Sequence, residues 1–182
     1  MAQVQTSGGS LQVAISEAFA LVKVSGRATF KLAPSLKRFC TTALGSGCKE
    51  VIFDMEECSG MDSTFMGILA GIAIRPADAN CARHVILINL TPKTHGMLTT
   101  LGLGPVVECH EQHEATPELK QRLAAALHLE GLDIGDGDDQ NLSLTTMLQA
   151  HQLLVDVAPE NMAKFKDVLT YLNQEIRKDV IP

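Results

Sequence analysis

Short apolar runs separated by turn-forming residues dominate the first hundred positions. Leu11 to Ile15 and Ala18 to Val24 read as two strands with a turn near Ser16-Glu17. Phe19, Leu21, Val22 and Val24 alternate incompletely, which leaves the facing of the second strand open. Ser25-Gly26-Arg27 breaks the run. Apolar spacings of three and four at Leu36, Phe39 and Ala43, with Cys40 adjoining, predict a helix over 33–44. Pro34 falls in its first turn, where the missing N–H is harmless, and Gly45-Ser46-Gly47 closes it. Glu50 to Asp54 (EVIFD) is a compact apolar strand of the kind buried in parallel sheets. A loop from Met55 to Met61 leads to Asp62-Ser63-Thr64, which opens a helix with Phe65, Ile68, Leu69 and Ile72 inward and Arg75-Pro76 as its stop. His84 to Asn89 is the next buried strand, followed by a short helix from Thr91-Pro92 to Leu101 ended by Gly102, and a last strand from Pro105 to Cys109. Thr116-Pro117-Glu118 starts a helix running to Leu129, with Thr as N-cap and Pro at the first helical position.

Strand and helix alternate after residue 50, which predicts an α/β fold with parallel pairing, and the two opening strands add a hairpin, so the sheet is mixed. The pattern changes after His128. Gly131 to Asn141 is rich in Gly and Asp and reads as an acidic linker over 131–141. Two helical segments follow over 142–180. Leu144, Met147, Leu148, His151, Leu154 and Val155 share a face of the first. In the second, Met162, Phe165, Leu169, Leu172 and Ile176 step by 3, 4, 3 and 4. The short loop between them predicts a C-terminal helical hairpin. Its apolar stripe suits docking on the main domain as well as homodimerisation or a partner, because two helices alone bury too little.

Composition narrows the function. Apolar residues make up 46% and charged residues 20%, which is globular, and aromatics are only 4%, so few rings are available to stack on bases. A formal charge of −6 argues further against nucleic acid, which needs a positive surface. Five cysteines, an odd number with no C-x-x-C spacing, fit a reduced cytoplasmic chain. The first ten residues do not resemble a signal peptide, and the longest apolar run, Phe65 to Ile74, is too short for a bilayer, so no membrane partner is expected.

Chemistry concentrates where the strand ending at Asp54 passes through the loop to Asp62-Ser63-Thr64. Small polar residues there satisfy the free N–H groups of a helix start, and the same place favours an anion. A phosphate on Ser63 adds roughly −1.5 to −2 charges beside Asp62 and near Asp54, Glu56 and Glu57. The helix end accepts that charge, whereas a partner docked on the surface is repelled. Capping alone also accounts for these three residues. Elsewhere, His110 and His113 lack a third ligand for zinc, and the register of Asp133, Asp136, Asp138 and Asp139 fails the calcium-loop pattern, so neither metal nor cofactor is expected. Phosphate-cradling glycine motifs are absent. Ser63 lacks the Gly-x-Ser-x-Gly elbow, and no histidine is nominated as its base, so the chain reads as a non-enzyme.

The stretch from Val51 to Leu69 resembles the signature of STAS domains, the family of anti-sigma factor antagonists: an apolar-Asp strand end followed by a Met-Asp-Ser-Ser/Thr run opening a helix. Val24-Ser-Gly26, Asn89-Leu-Thr-Pro92 and the segment from Leu101 to Val107 resemble the family's other landmarks in order and spacing, so the likeness covers residues 8–130. The resemblance implies a STAS-type mixed β-sheet flanked by helices. It implies that Ser63 is phosphorylated by a partner serine kinase that is also the anti-sigma factor. The unphosphorylated form binds that kinase and frees the sigma factor, and a PP2C-type phosphatase resets the cycle. Asp62 then orients the site, Thr64 is a neighbouring hydroxyl, and Asp54, Asp62, Thr64, Phe65 and Gly67 form the partner-facing set. Many members carry Gly where this chain has Phe65, with a matching glycine regained at Gly67. A scaffold or sensor module without a phosphorylation cycle is the alternative reading.

Overall fold

Two antiparallel strands, β1 (Ser10–Ile15) and β2 (Phe19–Ala28), open the fold with Val13 opposite Val22. The computed structural model describes residues 8–74, 84–112, 114–126, 131–134 and 140–180. β2 runs past the expected break: Gly26, at φ +71°, takes up an irregularity in register rather than ending the strand. The extension pairs with a strand absent from the sequence-based expectation, β4 (Cys58–Met61), inside what reads as a loop. Between them lie α1 (Ala33–Gly45) and β3 (Glu50–Asp54). α2 (Ser63–Ala73), β5 (His84–Leu90), α3 (Pro92–Thr100), β6 (Glu108–Glu111) and α4 (Pro117–Ala126) follow. The Arg75-Pro76 stop lies outside the described residues.

The sheet order is β6-β5-β3-β2-β1-β7, with β4 beside β2, and β2, β3, β5 and β6 run parallel. β6 begins later than expected because Val106 and Val107 donate their N–H groups to the carbonyl of Leu103 in a turn. β7 (Leu132–Ile134) comes from the stretch expected to be linker. It pairs antiparallel with β1, placing Leu11 opposite Ile134 and covering backbone groups that an edge strand leaves open.

Alternation along the central strands distributes the core. Val51, Phe53, Val85 and Leu87 join a large cluster with residues of α1, α2 and α3, while Ile52, Ile86 and Ile88 point to the other face, under Leu119 and Ala126 of α4. Arg122 fastens α4 to the sheet through an ion pair with Glu50 and a stacking contact 4.8 Å from the Phe19 ring centroid. Thr91 and Thr94 form a capping box on α3, and Gly102, at φ +73°, turns the chain out of it.

α5 (Gln140–Val157), a 3-10 turn (Pro159–Asn161) and α6 (Met162–Val180) form a helical hairpin whose first helix lies on α2. The buried face of α5 is rotated from the expected stripe: Thr146, Ala150, His151 and Leu154 are buried, while Met147, Leu148 and Val155 are only partly so. The cause lies on α2, where Gly67 leaves space for the Ala150 backbone. Met162, expected in the apolar stripe of α6, is 48% exposed because the 3-10 turn holds it at the rim; Leu172 is the buried centre of that stripe.

Candidate functional site

β4 delivers the chain to Asp62, the N-cap of α2. Asp62 Oδ1 accepts from the Phe65 N–H at 2.9 Å and Oδ2 from the Phe30 N–H at 2.6 Å, so one carboxylate fixes both the helix start and the loop before α1. Its own N–H donates to the Ala28 carbonyl at 2.9 Å. Ser63 is the first residue of α2 and is half-buried. Its hydroxyl lies 2.9 Å from Nε2 of His151 on α5. His151 Nδ1 lies 2.7 Å from the Met147 carbonyl, which can only accept, so Nδ1 carries the hydrogen; in the neutral ring Ser63 then donates to Nε2. The ring is buried and meets Phe165 edge-on, with centroids 4.8 Å apart.

Thr64 and Phe65, expected in the partner-facing set, lie in the interior. They are 4% and 0% exposed, because the second and third residues of α2 already turn toward the core. Phe65 thus fills the interior where many family members carry Gly. Gly67 is also covered: a Cβ there would sit 2.3 Å from the Ala150 carbonyl oxygen. Asp54 is partly exposed at the end of β3; its Oδ1 accepts from Asn89 Nδ2 at 2.8 Å and from the Glu56 N–H at 3.1 Å. Asn89 holds φ +57°, a left-handed conformation that Asn tolerates best among residues with a Cβ, and it braces the ends of β3 and β5.

The charges around Ser63 are mixed rather than uniformly acidic. Glu57 is taken up by Lys23, 2.7 Å away, and by Ser25, whose hydroxyl donates at 2.6 Å. These contacts, Lys23 first, hold the Glu57 carboxyl below its ordinary range, and Glu57 in turn raises Lys23. Ser63 also lines a cleft of about 600 Å³ between α2, α3 and α6, floored by Met66, Met97 and Phe165 and rimmed by Lys93 and Lys164. Lys93 donates to the Ser59 carbonyl at 2.8 Å and Lys164 to the Thr100 carbonyl at 2.8 Å. The two ammonium groups and the helix start make this a place that tolerates added negative charge.

His151 and Lys164 were not legible as site residues, since they lie 88 and 101 positions after Ser63 with no motif between them. The Ser63–His151 pair has the first half of a nucleophile–base geometry. Its ring is oriented by a backbone carbonyl rather than a carboxylate. Among the described residues no group of three His, Cys, Asp or Glu is placed to hold a metal; His110 pairs with Glu108 at 2.6 Å, and His113, Asp136, Asp138 and Asp139 lie outside them. No helix among them is long and apolar enough to cross a membrane.

A mixed sheet with helices on both faces and a serine at the Asp62-capped start of α2 define an α/β domain with a hydroxyl at a helix start beside a cleft. The STAS domain model matches residues 10–116, and the chain belongs to that family. No curated protein matches it. Among solved structures, an anti-sigma factor antagonist from Mycobacterium paratuberculosis is similar over 69% of this chain and 99% of its own, at 17% identity and a TM-score of 0.52. The anti-sigma factor antagonist SpoIIAA in its unphosphorylated form is 20% identical over 63% of this chain and 96% of its own, with a TM-score of 0.48. The Bacillus cell fate determinant SpoIIAA in its phosphorylated form is 21% identical over 63% and 98%, with a TM-score of 0.45. α5 and α6 lie outside the family match.

Proposed function

We propose that this chain is a cytoplasmic, non-enzymatic anti-sigma factor antagonist that binds an anti-sigma factor serine kinase while Ser63 is unphosphorylated. Phosphate on Ser63 ends that binding, and a PP2C-type phosphatase restores it. The observation that carries the reading is the position of Ser63: first residue of α2, half-buried, directly after the N-cap Asp62 and lining the cleft that Lys93 and Lys164 also line. Esterification removes the hydrogen that Ser63 gives His151 and adds a dianionic group at the helix start. The domain has a helix end and two lysines to receive that charge, and a partner surface shaped for a neutral hydroxyl does not. Phosphopeptide mass spectrometry of protein isolated from its native cells is expected to find phosphate on Ser63. Ser63→Ala is expected to retain the kinase in co-purification and Ser63→Asp to release it. Equal capture by the two variants, with Ser63 never modified, refutes the cycle.

A second reading is favoured by the hairpin, which lies over α2 and ties up the Ser63 hydroxyl. On this reading the chain is a scaffold or sensor module in a larger assembly without phosphorylation, and Ser63→Asp leaves every partner interaction unchanged.

A further inference from the structure

Each helix of the C-terminal hairpin brings one group able to hold an anion toward Ser63. His151 of α5 is 5% exposed, and its Nε2 meets the Ser63 hydroxyl at 2.9 Å. Lys164 of α6 lines the cleft of about 600 Å³ at Ser63, together with Lys93 of α3. Of the three N–H groups on the Lys164 ammonium, one goes to the Thr100 carbonyl at 2.8 Å and one to Asn161 Oδ1 at 3.1 Å. The carboxylate next to Ser63 in the chain, Asp62, has both oxygens engaged by the Phe65 and Phe30 N–H groups.

A phosphate ester on Ser63 changes this junction in two ways. The hydroxyl hydrogen is replaced, so a buried Nε2 loses its donor, which is costly for an atom shut away from water. At the same point three phosphoryl oxygens arrive, all of them acceptors. One proton taken from water onto Nε2 answers both changes, because the ring then donates to a phosphoryl oxygen. Nδ1 keeps its bond to the Met147 carbonyl at 2.7 Å, so the ring need not turn, and its edge contact with Phe165 stays in place. The cleft gives the group room beside Ser63, and the two ammonium groups add attraction.

We propose that His151 and Lys164 form a phosphoserine-binding pair, through which the hairpin grips Ser63 more tightly once it is phosphorylated. The inference rests on the reading that Ser63 takes a phosphate, and it adds a direction: the modification fastens the hairpin on α2 rather than expelling it. Each hairpin helix supplies one cation, so the ester ties α5 and α6 to α2 at a single point.

The probe is full-length protein with phosphoserine placed at position 63 during translation, compared with the unmodified chain. Amide exchange in α5 and α6 is expected to slow at least about tenfold with the phosphate, while protection of β3 and β5 persists. The phosphate's second ionisation, about 6 in the free group, is followed by phosphorus NMR. It is expected to fall by at least about half a unit, because His151, Lys164 and Lys93 outweigh Asp62. His151→Ala is expected to reverse most of that fall and cancel the gain in protection, and Lys164→Gln to reverse a smaller part. Unchanged or faster exchange in α5 and α6 on phosphorylation overturns the inference, as does an ionisation that both substitutions leave unmoved. If His151→Ala loses the protection of β3 and β5, the wild-type comparison and Lys164→Gln decide by the same criteria. Mass spectrometry of native protein reads whether the switch exists, whereas this grip is read on phosphate placed without a kinase, so either can fail while the other stands.

Discussion

Phe53 and Ala150 are both fully buried, yet each holds its neighbours by different means. Phe53 sits in the centre of the sheet, surrounded on one face by aliphatic side chains from strands and helices. Its environment is continuous, and removing it leaves a void that the parallel strands cannot close. Ala150 holds α5 against a glycine backbone and joins Leu154 at the edge of the same apolar cluster, and discrete polar contacts add to that hold. Asn161, fully buried, donates to the Leu101 carbonyl at 3.0 Å and the Leu154 carbonyl at 2.9 Å, His151 meets Ser63, and Lys164 reaches Thr100. Single polar ties in the hairpin can therefore be removed one at a time, which tests whether it opens separately from the sheet core.

The largest effect belongs to the core. Phe53→Ala is expected to cost about 3–5 kcal/mol in urea unfolding, with one transition lost from all probes together. Asn161→Ala removes the side-chain donor from the Leu101 and Leu154 carbonyls, of which Leu154 keeps the Ala158 N–H, and is expected to cost about 1–3 kcal/mol. Hydrogen exchange should place that loss in α5 and α6, leaving β3 and β5 protected; a uniform loss across the sheet would erase the contrast between the two regions. Ser63→Ala removes one hydrogen bond and is expected to cost about 1 kcal/mol, again confined to the hairpin. The backbone-oriented imidazole should not activate Ser63, so a fluorophosphonate is expected to leave no adduct there by mass spectrometry. An adduct would convert the Ser63–His151 contact into a catalytic pair.

The smallest effect lies at the sheet edge. Burial, with Glu108 adding to it, pushes the Cys109 thiol up to about 11. The folded state therefore holds its proton where the unfolded chain releases it, so stability is lost as pH rises from about 9 toward 11. Iodoacetamide should modify Cys109 at least about tenfold more slowly than an unfolded control at pH 8. Rapid alkylation would show that the β6 edge opens as readily as the hairpin.

Much of the body was legible because its signals are local. β3 needed only EVIFD, α1 its proline and glycine punctuation, and α3 its Thr-Pro start. β4 was hidden, since Cys-Ser-Gly-Met has no alternation and becomes a strand only because the bulged end of β2 offers it backbone partners. β7 was hidden for the same reason, as an Asp-bearing segment recruited by the open edge of β1. At the site, Asp62 and Ser63 could be read from capping chemistry. Their relation to His151, Lys93 and Lys164 could not, because nothing in the spacing of those residues marks them as neighbours.

The amino-acid order alone settled the α/β alternation, the capped start of α2 and the existence of two amphipathic C-terminal helices, all of which follow from periodicity and from the unpaired N–H groups at a helix end. Only the tertiary structure decided that those helices fold back along Gly67 and Gly71 and bring His151 to the Ser63 hydroxyl. An apolar stripe states that a face must be covered, and the choice of what covers it depends on where two surfaces can approach most closely in space.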